Sequence, residues 1–326
     1  MKAVLHAGFG GPEVLRLGEA PAPEATAGRV LIRVVATSVN RPDAIQREGR
    51  YPPPPGESEI LGLEAAGTVE AVGPGVDAFS PGDRVLALLP GGGYAELAAA
   101  PAGQVMRIPE RLSFEQAACI AESYITAYLN VFLLGRLAAG ETVLVHGGSG
   151  GVGTAAIQLC RALAPRATVI ATASAAKAER VAALGAARVV DYGSEDFADA
   201  VLGHTDGRGA DVILDHIGGP YLARNLKALA IGGRLVVIGV MGGRSAELDV
   251  ARLMMKRQQI LGSVLRPRSV AEKSAIIERF ASEVLPLFAS GTIAPVIDRV
   301  YPMAEAAEAH RAMEAGEHFG KIVLKW

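Results

Sequence analysis

Gly148, Gly150 and Gly153, within Gly147-Gly148-Ser149-Gly150-Gly151-Val152-Gly153, fall at the spacing G-x-G-x-x-G. The run follows the apolar stretch Thr142 to His146 and precedes an alanine-rich stretch from Thr154 to Ala164, so the pattern predicts strand, loop and helix in that order. Residues lacking Cβ allow a tight turn, close approach of backbone to a pyrophosphate, and close packing of helix on strand. The N–H groups from Ser149 and Gly150 through Gly151, Val152 and Gly153, with the helix dipole, would then stabilise negative charge. The expected chemistry is dinucleotide binding; the alternative is a glycine-rich turn that holds nothing. The loop lacks the Lys and Ser/Thr that close a P-loop, which disfavours ATP hydrolysis.

The next strand bears on which dinucleotide. A site for NAD usually places Asp or Glu about 20 residues past the loop, on the ribose 2′-hydroxyl. Here that place holds Ala171-Thr172-Ala173-Ser174-Ala175-Ala176-Lys177, with no carboxylate to repel a 2′-phosphate. Ser174 can donate a hydrogen bond, Lys177 brings positive charge, and Tyr192 at the end of the following strand can donate again. NADP(H) is therefore expected over NAD(H). The missing acid is the firmer part of this inference, since Lys177 is otherwise a solvated lysine at a helix start and Tyr192 an aromatic at a sheet edge.

These residues need a framework. The chain has 326 residues, about two domains' worth, with 50% hydrophobic and 20% charged residues. That much apolar side chain excludes a disordered chain. With 32 basic and 34 acidic residues the net charge is −2, so there is no basic excess for a nucleic-acid backbone. Two cysteines, Cys119 and Cys160, cannot build a disulfide framework or a four-thiolate zinc site and are expected as small buried residues. No signal-peptide core is read at the amino terminus, and no apolar run approaches the ~18 residues of a membrane span. A cytoplasmic protein is expected.

Up to about residue 120 the chain reads as short strands and turns, including Val30 to Val35, Gly67 to Gly73 and Gly82 to Leu88, as in a compact barrel-like β domain. From about residue 123 helical stretches alternate with short apolar strands. These are Thr142 to His146, Ala167 to Ala173, Arg188 to Tyr192, Asp211 to Asp215 and Arg234 to Gly239, with a helix from Lys177 to Leu184. Continuous β-branched strands between helices are what a parallel sheet covered on both faces requires. A helical segment is expected around Glu272 to Ala289 and a last strand at Gly320 to Leu324.

Several blocks, in this order and spacing, resemble the zinc-free medium-chain dehydrogenases/reductases of the quinone oxidoreductase, zeta-crystallin-like family. They include Ser38-Val39-Asn40-Arg41-Pro42-Asp43, Tyr51-Pro52-Pro53-Pro54-Pro55-Gly56 and Ile60-Leu61-Gly62-Leu63-Glu64-Ala65-Ala66-Gly67. Others are Leu88 to Gly93, Gly151 to Leu159, Ile213 to Gly219, Met241-Gly242-Gly243 and Gly320 to Leu324. The resemblance implies an α/β chain with a GroES-like β-rich catalytic domain, residues 1–123 and 267–326, and a Rossmann doubly wound cofactor domain, residues 124–266. It implies a homodimer formed by extending the cofactor-domain sheets. The nicotinamide would sit between domains, with Asn40, Thr126 and the stretch from Gly239 to Met241 near its ring and ribose.

Two departures matter. Alcohol dehydrogenases of this fold carry a zinc-binding Cys just before an x-Asp and a His before the equivalent of Glu64. Here those places hold Asn40-Arg41-Pro42-Asp43 and Leu63, and the four-cysteine zinc lobe is replaced by Pro90-Gly91-Gly92-Gly93-Tyr94. No zinc is expected, which removes the usual means of stabilising an alkoxide and leaves quinone or conjugated-carbonyl reduction. Within the branch a serine also occurs where Gly150 stands. Here Ser149 comes one step earlier, and a role for that serine does not carry over to Gly150.

The resemblance thus implies hydride transfer from NADPH to a small-molecule quinone. The alternatives are reduction of an enone or enoyl double bond, and a non-catalytic NADPH-binding protein with a structural or sensing role. Tyr51, beside its proline run, is a candidate lid residue that stacks on the acceptor or bonds its oxygen, or else packs the loop. Asn40 is a candidate for orienting ribose or acceptor, or else a turn residue before Pro42. No residue compels assignment as a general acid. His146 is read as a satisfied core histidine, Glu64 as a structural acceptor and His216 as a further candidate near the coenzyme; His6, His204, His310 and His318 form no metal spacing. Lys256-Arg257 and Arg266-x-Arg268 read as solvated or interface charges.

Overall fold

The computed structural model describes residues 1–326, which divide into two compact units: 1–125 with 265–326, and 126–264. In the first unit, β1 (Lys2–His6) and β2 (Leu15–Glu19) pair antiparallel. β3 (Arg29–Ser38), β4 (Glu64–Val72), β5 (Arg84–Leu88), β6 (Leu97–Pro101) and β7 (Val105–Arg107) follow. β3 pairs with both β4 and β6, and β5 joins β4 to β7, all antiparallel. Val30, Ile32 and Val34 of β3 bury with Ala65, Val85 and Val105 in one core, the period-2 pattern of a strand with one packed face.

This stretch is not only strands and turns. Arg41–Arg47 is a helix, and Asn40 caps it. The Asp43 carboxylate accepts from the Asn40 N–H at 2.8 Å, and Pro42 occupies the first turn, where its missing N–H costs no hydrogen bond. Asn-x-Pro-Asp therefore starts a helix here instead of ending in a turn.

The second unit is a six-stranded parallel sheet. Its strands are β8 (Thr142–Val145), β9 (Thr168–Ala173), β10 (Arg188–Asp191), β11 (Ala210–Asp215), β12 (Leu229–Val237) and β13 (Gln259–Gly262). They lie in the order β10-β9-β8-β11-β12-β13, the doubly wound order with a switch point between β8 and β11. All four residues of β8 are buried, as a central strand covered on both faces requires. The helix after the glycines begins at Gly151, three residues before the expected Thr154. β12 starts at Leu229, ahead of the expected Arg234.

The chain returns to the first unit with β14 (Ile297–Pro302) and β15 (Lys321–Lys325), and β15 pairs antiparallel with β3 through Val323 and Ser38. The helix expected around Glu272 to Ala289 is two, Val270–Glu283 and Leu285–Ser290. Pro286 cannot donate the N–H that would continue the first, and Gly291, at φ +80°, ends the second. Cys119 and Cys160 are buried free thiols. No helix is long and apolar enough to cross a membrane.

Candidate functional site

The glycine loop is shaped by what its residues lack. A Cβ on Gly153 would lie 2.2 Å from the Gly147 carbonyl oxygen and 2.7 Å from Gly148 Cα, so any side chain there would push the loop off the helix. Gly147 sits at φ +59°, and a Cβ on it would meet the His216 ring at 2.4 Å. At Gly150 nothing comes nearer than 3.6 Å, which leaves open space at the helix start. Gly150 is the extended N-cap of Gly151–Leu163, and no side chain caps that helix. Its first-turn N–H groups therefore face open space, a fit for the pyrophosphate of a dinucleotide. Ser149, Gly151 and Val152, partly exposed around this opening, belong to the same turn.

The loop is pinned from below by buried polar groups. Gly148 N–H donates to the Thr172 carbonyl at 2.8 Å, and Gly147 N–H to the Thr172 hydroxyl at 3.1 Å. That hydroxyl donates in turn to His146 Nδ1 (3.2 Å), and His146 Nε2 donates to Asn225 Oδ1 (2.8 Å). Asn225 Nδ2 donates to the Asp215 carboxylate at 3.1 Å, and Asp215 also accepts from the Ile217 and Gly218 N–H groups. Each group has one consistent role, so the chain of bonds fixes the His146 tautomer. Burial holds His146 neutral, with its pKa pushed down to about 3, as suits a satisfied core histidine.

At the end of β9, Ser174 is extended and partly buried, and Lys177 closes the short turn that follows. Tyr192 is 53% exposed just past β10. One carboxylate was missed: Asp191 pairs opposite Ala173 and accepts from Gly193 N–H (3.1 Å) and the Ser194 hydroxyl (2.7 Å), and the Ala175 N–H, in the turn between Ser174 and Lys177, acts on it too. Those bonds hold it below the ordinary carboxylate range. Gly239 and Met241 follow β12, where Met241 N–H donates to the His216 carbonyl at 3.0 Å and Met241 is exposed. This places them beside His216 at the carboxyl ends of β11 and β12, where ligands bind in such sheets. Thr126 is partly buried in Ser123–Tyr128, and its carbonyl accepts from Asn130.

In the first unit a buried charge cluster surrounds Glu64. Its Oε1 accepts from the Ser38 hydroxyl, from Asn40 Nδ2 at 3.0 Å and from Lys321 Nζ at 3.1 Å; its Oε2 accepts from Glu122 N–H at 2.9 Å. Lys321 also donates to Asn40 Oδ1 at 2.5 Å and to the Val39 carbonyl at 3.3 Å. Both ends of the Asn40 amide are thus occupied inside the protein, which makes it a support for Glu64 in this conformation. No three His, Cys, Asp or Glu side chains converge as a metal site, and the cation held by Glu64 is an ammonium.

Tyr51 is held by Arg266. The guanidinium lies 5.1 Å from the Tyr51 ring centroid and donates to the Tyr51 carbonyl (3.3 Å), the Pro90 carbonyl (2.8 Å) and Gln46 Oε1 (2.8 Å). The Tyr51 hydroxyl makes no hydrogen bond within the chain, and burial raises its pKa. Arg266 is therefore a buried anchor, not a solvated charge. His310, in turn, is a buried link between Arg47 (2.9 Å) and the Tyr94 hydroxyl (3.1 Å).

Comparison with known proteins places this geometry. The alcohol dehydrogenase GroES-like domain family matches residues 26–110, and the family described as zinc-binding dehydrogenase matches residues 184–324. The second description names a metal for which Asn40 and Leu63 offer no ligand set here. Quinone oxidoreductase of Rattus norvegicus is 36% identical over 99% of this chain and 97% of its own length. Synaptic vesicle membrane protein VAT-1 homolog of the same species is 33% identical over 99% and 84%. Among solved structures, a quinone oxidoreductase of Pseudomonas syringae superposes with a TM-score of 0.90 at 32% identity, covering 100% of this chain and 99% of that one. A mycobacterial protein complexed with NADPH gives 0.89 at 32%, and an NAD-dependent alcohol dehydrogenase 0.88 at 34%, each covering 100% of both chains. With full-length relatives above 30% identity, the chain belongs to the medium-chain dehydrogenase/reductase family of nicotinamide-dependent oxidoreductases.

Proposed function

We propose that this protein is an NADPH:quinone oxidoreductase that works without a metal. The observation that carries the reading is the uncapped start of Gly151–Leu163, opened by Gly150 and pinned through Thr172 and His146, next to a β9 end that bears Ser174 and Lys177 in place of an acid. The pyrophosphate lies on the N–H groups of Ser149 and of Gly151 to Gly153, while the Gly150 N–H is held by the Gly147 carbonyl at 3.0 Å and Gly150 serves by its missing side chain. Ser174, Lys177 and Tyr192 take the 2′-phosphate, whose charge the carboxylate of an NAD site would oppose. Thr126, Gly239 and Met241 line the nicotinamide half. When bound, the reduced coenzyme supplies hydride.

The protein's own residues orient and hold. Tyr51 takes the flat acceptor on its ring or through its free hydroxyl, and Arg266 keeps it in place, so much of the acceleration comes from proximity and orientation. Asn40 and Lys321 hold the Glu64 charge, leaving no position for a Lewis acid. Two copies join along β13, an outer strand whose surroundings leave Met254, Met255 and Val264 exposed at 70%, 75% and 51%.

The test is steady-state turnover of NADPH with ortho- and para-quinones, set against alkenals and enoyl esters. Faster quinone turnover supports the reading. Faster enoyl turnover makes the protein a double-bond reductase, and tight NADPH binding with no turnover makes it a binding protein.

A further inference from the structure

The buried lysine and arginine side chains of this protein are Arg47, Arg234, Arg266, Lys273 and Lys321. Three of them have carboxylate partners: Arg47 pairs with Glu314, Arg234 with Glu141 and Lys321 with Glu64. Arg266 and Lys273, 7% and 5% exposed, bond only to neutral oxygens. These two cations also meet, since Lys273 Nζ donates to the Arg266 carbonyl at 3.2 Å. A buried charge without a counter-ion is costly. It becomes useful where negative charge develops during a reaction, because it is already in place when that charge arrives.

The Arg266 guanidinium is fixed against Tyr51. The carbonyls of Pro90 and Tyr51 and the Gln46 amide oxygen solvate it but carry no net charge. Gln46, on the helix Arg41–Arg47, also donates to the Glu59 carbonyl at 2.9 Å. The segment 51–59, with its proline run, is therefore tied at one end to Arg266 and at the other to the Gln46 that Arg266 bonds. The charge lies 5.1 Å from the Tyr51 ring centroid, and that ring is partly exposed. Cation, ring and open side thus follow one another within the first unit, by contacts between named groups. Asp43, whose charge also reaches Arg266, is already bonded by the N–H groups of Asn40 and Gly62.

We propose that Arg266 is a positioning residue for the reduction: it holds Tyr51 with an uncancelled positive charge behind the ring, and that charge draws the negative charge arriving on the acceptor. This assignment rests on the reductase reading. The quinone gains a hydride and with it two electrons, the coenzyme is oxidised by the same two, and the oxyanion left on the quinone takes its proton from water. No bond to Arg266 forms or breaks. Lysine would keep the charge but could not span Pro90, Tyr51 and Gln46 as the planar fork does.

The experiment has two readouts. The first is binding of para-nitrophenol, a flat probe whose phenolate is yellow and whose phenol is not, to the full-length coenzyme-free protein. The wild type should bind the phenolate on the order of tenfold more tightly than the phenol. Arg266→Gln, which is neutral, should lose that preference, and Arg266→Lys should keep most of it. The second is turnover: Arg266→Gln should lower kcat for quinones by about tenfold or more with KM for NADPH little changed, while Arg266→Lys retains more of kcat. A purely structural role would damage both variants alike. A wild type that binds phenol and phenolate equally, or binds neither, overturns the assignment and leaves the reductase reading standing, as do lysine and glutamine variants equally impaired in kcat. A wild type that reduces no acceptor overturns both.

Discussion

Removing the ammonium of Lys321 should unsettle the first unit far more than a surface charge change does. Lys321→Met strips Glu64, 0% exposed, of its counter-ion, and deprives Asn40 Oδ1 and the Val39 carbonyl of a donor. Ser38, Asn40 and Glu122 N–H still bond Glu64, but none carries charge. Breaking a buried pair from one side costs ~3–5 kcal/mol. At ~2–4 °C per kcal/mol for a unit of this size, the melting temperature should fall by roughly 6–20 °C. Glu64→Gln should cost as much, because it strands the ammonium. The double variant Lys321→Met/Glu64→Gln removes both charges, and should recover to within ~2 kcal/mol of wild type, a coupling of several kcal/mol. Trp326, the single tryptophan, belongs to the first unit and bonds the Ala95 carbonyl, so its fluorescence follows this unit's unfolding apart from the other's. Single effects that add within ~0.5 kcal/mol in the double variant would refute the pairing.

Gly153→Ala places a methyl 2.2 Å from the Gly147 carbonyl, so coenzyme affinity measured by fluorescence titration should weaken at least about tenfold, or 1.4 kcal/mol; an unchanged Kd would show that the loop tolerates the clash. His146 stays neutral in the folded protein down to about pH 3, whereas in the unfolded chain it takes a proton below ~6.5. Its contribution to stability is therefore complete above pH ~6.5 and is lost as pH falls toward 3, at ~1.4 kcal/mol per pH unit. His146→Gln should lower stability at neutral pH but flatten the acid-side slope by that amount in urea melts, and an identical slope would contradict the assignment. Ile260→Lys puts a charge on the outer strand β13, and sedimentation should show a monomer where the parent is a dimer; a monomeric parent would remove the proposed interface.

Features set by neighbours along the chain were readable from the sequence. The glycine loop, its strand and its helix are defined by residues within a few positions of each other, and the β-branched runs of the second unit form strands wherever they were expected. Asn40 shows the limit of local reading. Asparagine before proline suits a turn, and only the Asp43 partner makes it a helix cap. The Glu64 cluster had no local signature at all: Lys321 reaches Glu64 across 257 positions, and Arg266 reaches Tyr51 across 215. Lys321 stood within a family motif, but nothing in Gly-Lys-Ile-Val announces a buried ammonium. Asn225, 79 residues from His146 and between Arg224 and Lys227 in its helix, was silent for the same reason.

The central claim is that the second unit grips a phosphorylated coenzyme at Ser174 and Lys177. The most direct measurement is kcat/KM for NADPH and for NADH with one quinone, in the wild type and in Lys177→Glu. The wild type should favour NADPH by about tenfold or more, the ~1.4 kcal/mol or more expected of a cation on a phosphate, and Lys177→Glu should erase that preference by raising KM for NADPH while NADH is nearly untouched. A wild type that prefers NADH, or a variant that harms both coenzymes equally, would contradict it.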